Sequence, residues 1–276
     1  MTDKTRNLVA RIATAVVLLP LVVWLLLVGG WPFAVLLGVA SGLCAVELNR
    51  LPVPDGEPRA PWVGLVASAL AAFLIPLCAG GAAFAPVAIL AGLVVVAFVD
   101  SLFFERQLPR APLRVGLAVL GAAYPGLALA SLVQLRSAAQ GLGWIALCLA
   151  GTWMNDTGAY FAGRTLGRRK LYPRISPSKT WEGAVGGLVA SIAGALVVRA
   201  FLLPGVPWAA AAAIGAGCGI FGPLGDLSES MLKRAFDKKD SSHLLPGHGG
   251  LLDRIDALLF NAPFVWLCAR VLQQAS

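Results

Sequence analysis

Long apolar runs separated by short polar clusters set the pattern of this chain. A helix needs about 20 predominantly apolar residues to cross roughly 30 Å of hydrocarbon. Nine runs come near that length, at 9–29, 31–48, 62–80, 84–103, 114–134, 142–162, 184–203, 207–224 and 252–272. They predict an all-α, polytopic integral membrane protein of about nine transmembrane helices. The first run follows Lys4, Arg6 and Arg11, as a secretion signal would, but it is longer than a signal core. No small-residue cleavage site appears before Trp31, so it reads as a retained helix.

Composition agrees with a bilayer as solvent. Of 276 residues 58% are hydrophobic and 13% charged, whereas a soluble domain carries roughly 25% charged residues. Five cysteines, Cys44, Cys78, Cys148, Cys218 and Cys268, fall one to an apolar run. Their spacing is that of packing residues rather than of zinc ligands or a disulfide framework. Any metal is therefore expected to be a hard ion held by oxygen, such as magnesium.

The net charge of +8 acquires meaning from its placement. Short loops rich in Lys and Arg stay in the cytoplasm. With the N-terminus inside and nine spans threaded, all but three of the 22 basic residues face the cytoplasm, the exceptions being Arg136, Arg199 and Arg270. All fourteen acids fall at or near the same face. One working surface facing the cytosol is expected, in the inner (plasma) membrane, with its charge concentrated in 163–183 and 225–251. No linker, charge block or clear repeat divides the chain, which reads as a single membrane domain. Residues 1–135 supply scaffold helices or a dimer surface, and 136–276 supply catalytic helices and cytoplasmic loops.

Charge within apolar segments marks the candidate chemistry. In "GPLGDLSESMLKR" a helix restarting after Gly222-Pro223 would put Asp226, Glu229, Ser230 and Lys233 on one face. A capping box with Asp226 at the N-cap is the plain explanation. An ionisable group at membrane depth costs about 2.5–3.5 kcal/mol on insertion scales and usually faces a functional cavity, which favours Asp226 as a ligand. Asp253 and Asp256 lie three apart at the start of the ninth run, beside Arg254. A structural Asp–Arg pair is the alternative there. Acids from two helices are how proteins hold Mg²⁺ for phosphate chemistry, leaving positions for water and substrate.

Lys233, Arg234 and Lys239, interleaved with these acids, suit a triphosphate, whereas Lys238 suits anionic headgroups. "PGHGG" offers Gly249 and Gly250 backbone N–H groups and the His248 side chain to a phosphate, or simply makes a turn; His243 reads as an ordinary loop residue. Upstream, Asp156 lies inside the sixth run and needs a partner or a pocket. Ser176, Ser178, Lys179 and Thr180 offer hydroxyls and a cation beside Pro177, without a P-loop string. Arg168, Arg169 and Lys170 suit anionic lipid. Gly217 to Gly222 fits G-x-G-x-x-G, yet it lies within a membrane run with no strand before it, and so is no dinucleotide site. Gly215 with Gly219, and Gly183 with Gly187, suit close helix packing instead.

These residues resemble the integral-membrane CDP-diacylglycerol synthases, the phosphatidate cytidylyltransferase family. That family's closing pattern is filled here without a gap by Ser230, Lys233, Arg234, Lys239, Asp240, Ser242, Pro246, His248, Gly249, Gly250, Asp253, Arg254 and Asp256. Its upstream loop is matched by Gly163, Arg164, Gly167, Ser176, Pro177, Lys179, Thr180, Glu182 and Gly183, with Ser178 standing where a second basic residue is usual. The resemblance covers roughly the last 130 residues. It implies that CTP and phosphatidate become CDP-diacylglycerol and pyrophosphate in phospholipid biosynthesis. It also implies a site in which Asp226 and Asp253 hold one Mg²⁺ ion, or two, with Asp256 behind them or as an additional ligand. Lys233, Arg234, Lys239, Asp240 and His248 would complete the catalytic set. Lys179, Ser176, Thr180, Arg164, Arg254, Gly249, Gly250 and Asp156 would bind substrate. The expected partners are CTP, phosphatidate, the lipid bilayer and a second copy in a homodimer, with no nucleic acid. Two rivals differ in products: a CTP-dependent lipid kinase would release CDP, and a cation transporter would turn over no nucleotide.

Overall fold

A chain immersed in hydrocarbon must satisfy its backbone groups within itself, so the apolar runs fold as helices. The computed structural model describes residues 16, 18–53, 62–81, 84–105, 107–242, 244 and 249–275. Among the described residues there are nine α-helices. These are α1 (Leu18–Val28), α2 (Gly30–Arg50), α3 (Trp62–Leu77), α4 (Ala85–Phe104), α5 (Ala111–Ser137), α6 (Gly141–Leu166), α7 (Trp181–Leu202), α8 (Trp208–Ala235) and α9 (Leu252–Ala275). Helices α2, α4, α5, α7, α8 and α9 are long and apolar enough to cross a membrane, and α3 with the described part of α1 is shorter. Large apolar side chains face outward, with Leu102 76%, Phe103 72% and Phe201 80% exposed. Water would not tolerate so much apolar exterior, whereas acyl chains do. The molecule is a polytopic all-α membrane protein.

Helix ends from α2 onward fall within four residues of the sequence expectation, save one. Helix α8 does not stop and restart at Gly222-Pro223; it runs through Pro223 to Ala235. Proline removes one backbone donor, and the helix continues past that loss. Asp226 therefore sits in a helix interior, and the capping-box explanation does not apply to it. A second departure lies in the loop after α6, where β1 (Lys170–Tyr172) pairs antiparallel with β2 (Ser176–Thr180), Lys170 opposite Thr180 and Tyr172 opposite Ser176.

The chain divides into two compact units. One takes the chain up to Val133 together with Phe236–Arg254; the other takes Gln134–Ala235 and the chain from Ile255. In the first, small residues let helices approach, with Ala45, Ala71, Ala72, Leu93 and Ala122 at the core. Helices in lipid gain little from apolar burial against each other, so close packing and polar ties must hold them. Such ties are present. Asn49 Nδ2 donates to Ser68 Oγ at 3.1 Å, Ser68 Oγ donates to Ala118 O at 2.7 Å, and Arg114 pairs with Asp100 at 2.6 Å. In the second unit, α7 and α8 meet closely at the glycines expected for it. A Cβ at Gly215 would lie 2.8 Å from Ile192 Cα, and one at Gly219 2.9 Å from Leu188 Cα. Ser191 Oγ, within 2.9 Å of Gly151 O and 2.8 Å of Gly215 O, ties α7 to both neighbours. The G-x-G-x-x-G string lies wholly inside α8.

Candidate active site

In the second unit, α6 carries Asp156, Tyr160 and Arg164 at intervals of four, so they share one helical face. Strand β2 brings Ser178, Lys179 and Thr180, and α8 brings Pro223 and Asp226. Together with Asn155 they line a cavity of about 500 Å³. Across it, Lys179 Nζ pairs with Asp226 Oδ2 at 2.7 Å. Arg164 donates to Tyr160 Oη at 2.7 Å and its guanidinium lies 5.9 Å from the ring centre. Asp256 shares the electrostatic surroundings of Asp226, Asp156 and Lys179. Gly225 permits this approach, because a Cβ there would lie 2.6 Å from Asp256 O. Of these carboxylates, Asp226 makes the ion pair with Lys179.

Local folding explains the wall of this cavity. Thr180 caps α7, its hydroxyl accepting from Gly183 N at 3.1 Å, and Glu182 accepts from Arg168 N at 3.0 Å and Arg169 N at 3.2 Å. The cap and this carboxylate fix the hairpin to the head of α7, which holds Lys179 in place. Ser176 begins β2 opposite Tyr172, whereas Ser178, two residues on, faces the cavity. Asn155, which the sequence pattern does not single out, is buried between α7 and α8. Glycine at 187 leaves room for it, since a Cβ there would fall 2.5 Å from Asn155 Oδ1. An amide next to Asp156 in an apolar run was the available signal, since an unpaired amide in hydrocarbon is costly.

The cations at the end of α8 divide in their surroundings. Lys233 is 8% exposed and forms a salt bridge with Glu229 one turn earlier, itself 1% exposed. Arg234 is exposed in the last helical turn.

In the first unit, Lys239 and Asp240 are exposed, and Lys238 donates to Val53 O at 2.9 Å and Arg50 O at 3.3 Å. That lysine binds the carbonyl end of α2, where the helix dipole favours a cation. Asp253, in the first turn of α9, accepts from Ser241 N at 3.0 Å, Ser241 Oγ at 3.0 Å and Gly250 N at 2.9 Å. Gly249 has φ +83°, a backbone state that favours glycine. A side chain at Gly250 would strike Ser241 Oγ and come within 2.9 Å of Glu47 Oε2. Arg254 is exposed beside Asp253. His248, His243 and Pro246 lie outside the described residues. Glu47 emerges only from the structure, with no motif to single it out. It is 3% exposed near the end of α2 and accepts from Ser241, Ser242, Leu251 and Leu252.

Among the described residues no group of three or more His, Cys, Asp and Glu side chains is gathered to hold a metal by itself. Magnesium needs less, since it binds through one or two carboxylates and keeps water and substrate phosphates as its other ligands. Asp226, in the cavity wall, and Asp256, whose backbone packs against Gly225 beside it, fit that requirement.

The model of the cytidylyltransferase family matches residues 9–272. A phosphatidate cytidylyltransferase of Bacillus subtilis (strain 168) is 34% identical over 276 residues, covering 96% of this chain and 97% of the relative. One of Brucella suis is 36% identical over 266 residues, covering 95% and 93%. One of Staphylococcus saprophyticus is 43% identical over 147 residues, 53% of this chain and 56% of the relative.

Proposed function

Because the chain belongs to the cytidylyltransferase family, we propose that it transfers the cytidylyl group of CTP to phosphatidate, yielding CDP-diacylglycerol and pyrophosphate. The observation that carries this reading is the Lys179–Asp226 pair in the wall of a cavity between membrane helices and the β1–β2 hairpin, where charged side chains stand among apolar ones. Such a wall can neutralise phosphate oxygens with a cation while offering carboxylates for a hard metal. The relatives' names supply the substrates.

A phosphate monoester with a second pKa of about 6 is already largely dianionic near neutrality. No general base is needed to make it a nucleophile. A phosphatidate oxygen forms a new bond to the α-phosphorus of CTP, the bond from that phosphorus to the α,β-bridging oxygen breaks, and its electron pair leaves on pyrophosphate. The protein's task is alignment and charge neutralisation. Lys179 and Arg164 bind phosphate oxygens, Asp156 and Asp226 shape the polar end of the cavity, and Ser178 and Thr180 border it. Asp226 and Asp256 would hold Mg²⁺, which when bound supplies positive charge against the phosphates. The segment from Lys239 to Asp253 serves the nucleotide in the same reaction, with Lys239 as its exposed cation.

The charge pattern supports a cytoplasmic working face in the inner membrane, with the N-terminus inside. CTP would reach the site from the cytosol and phosphatidate from the bilayer. Purified protein incubated with cytidine-labelled CTP, phosphatidate and Mg²⁺ should move label into the organic phase in proportion to pyrophosphate released. Label confined to the aqueous phase would refute the reading.

A further inference from the structure

We propose that Glu47, at the end of a helix otherwise devoted to scaffold, is a positioning residue for the reaction: it closes the segment from Ser241 to Leu252 and sets the carboxylate of Asp253. The inference rests on the function proposed above. A carboxylate offers about four lone-pair sites, and here four donors reach them. Ser242 Oγ donates to Oε1 at 2.6 Å and Leu251 N at 2.9 Å, while Ser241 Oγ donates to Oε2 at 3.1 Å and Leu252 N at 2.8 Å. Two donors come from the beginning of the segment and two from its end. One side chain therefore fixes both ends of the stretch through which the family's closing pattern runs.

The link to Asp253 passes through one hydroxyl. Ser241 Oγ lies 3.1 Å from Glu47 Oε2 and 3.0 Å from Asp253 Oδ2. A serine has a single proton to give, so the two carboxylates compete for it, and Glu47 sets how much of it Asp253 receives. Gly250 packs beside the same three groups, and its N–H donates to Asp253. The arrangement also explains why an acid stands at this place on α2. An apolar residue of that size would leave the N–H groups of Leu251 and of Leu252, itself 0% exposed, without acceptors. Lys238 adds a tie of the opposite sense, donating to Arg50 O at the end of the same helix and to Val53 O just beyond it. Glu47 on α2 holds donors of the segment, and Lys238, three residues before the segment, holds Arg50 O at the helix end.

Glu47→Gln tests this. Glutamine keeps the shape but replaces one oxygen with a donor, which sets the N–H of Leu251 or Leu252 against another donor and makes the serine hydroxyl at that position accept instead of donate. A misplaced reacting group costs about a hundredfold in rate. Wild type, E47Q, S242A and the double variant are purified in detergent, checked as folded by gel filtration and thermal unfolding, and assayed with CTP, phosphatidate and Mg²⁺ below their Tm. The expected result is a fall in kcat of about a hundredfold for E47Q and about tenfold for S242A, which loses the shortest of the charge-assisted bonds. KM for CTP should stay within about threefold, since alignment rather than uniform binding is lost. The double variant should be less impaired than the product of the single effects, because both cut the same connection. A folded E47Q with kcat near wild type, or single effects that multiply, would overturn the proposal. Where E47Q does not fold, S242A decides alone: kcat within about twofold of wild type overturns it. Wild-type protein that makes no lipid-linked cytidine would refute the proposed function instead, before any variant is compared.

Discussion

Replacing Asp226 with asparagine should separate stability from turnover. The Lys179–Asp226 distance of 2.7 Å gives a Coulomb attraction of several kcal/mol at an effective dielectric of about 20. Both side chains are open to the cavity, Lys179 23% and Asp226 37% exposed, and exposed pairs contribute only about 0.2–1 kcal/mol net. The substituted amide can keep its oxygen toward Lys179 and turn its NH2 toward Ser230 Oγ, which can accept. The expected stability loss is therefore at most about 1 kcal/mol, a fall in Tm of about 2–4 °C for a chain of this size. The chemistry has no such discount. Removing one charge-stabilising group from an active site costs about 10²–10³ in kcat, and the loss of a metal ligand adds to it, so D226N turnover should drop by about a thousandfold or more. Thermal unfolding in detergent and extraction of labelled lipid from the same preparation measure the two quantities together. A D226N protein retaining more than about a tenth of wild-type turnover with Mg²⁺ (about 1.4 kcal/mol) would refute the reasoning. So would one that fails to fold, since Asp226 would then be a structural residue.

Lys233→Met should destabilise the protein by about 3–5 kcal/mol by removing the ion-pair partner of the buried Glu229; thermal unfolding should show the double variant E229Q/K233M recovering most of that loss, and equal losses would contradict the buried-pair account. Thr180→Ala should cost about 1 kcal/mol through the lost cap on α7, with KM for CTP changed less than about twofold; a large KM change at unaltered stability would place its hydroxyl on the substrate. Chelation of divalent ions should abolish turnover and added Mg²⁺ should restore it, while activity that survives exhaustive chelation would remove the metal from the account.

Much of the helical scaffold could be read from apolar run length alone, because the bilayer imposes a length on every crossing segment. From α2 onward the helices stand where those runs stand. Legibility failed where a local rule met a wider structure. Pro223 has the look of a break, but α8 continues to Ala235, since a single missing donor does not end a helix packed along its length. The β1–β2 hairpin was invisible because strands of three and five residues carry little periodicity and Pro177 argues against a strand. Asp156 and Asp226 were legible from charge in apolar surroundings, Lys179 and Thr180 from the hydroxyls and cation around Pro177, and Arg164 from the family resemblance; one cavity gathers them. Glu47 was not, because its partners lie 194 to 205 positions away in sequence. Charge alone assigns Lys233 to phosphate; the spacing puts it on one face with Glu229, but that this face is buried, which turns the two into a salt bridge, is seen only in the structure.

The most direct test of the central claim follows phosphorus through the reaction. CTP labelled at the α-phosphorus and CTP labelled at the γ-phosphorus are offered in parallel to the purified protein with phosphatidate and Mg²⁺. Cytidylyl transfer predicts α-label in the lipid phase and γ-label in pyrophosphate; γ-label in lipid with release of CDP would contradict it and establish a lipid kinase in its place.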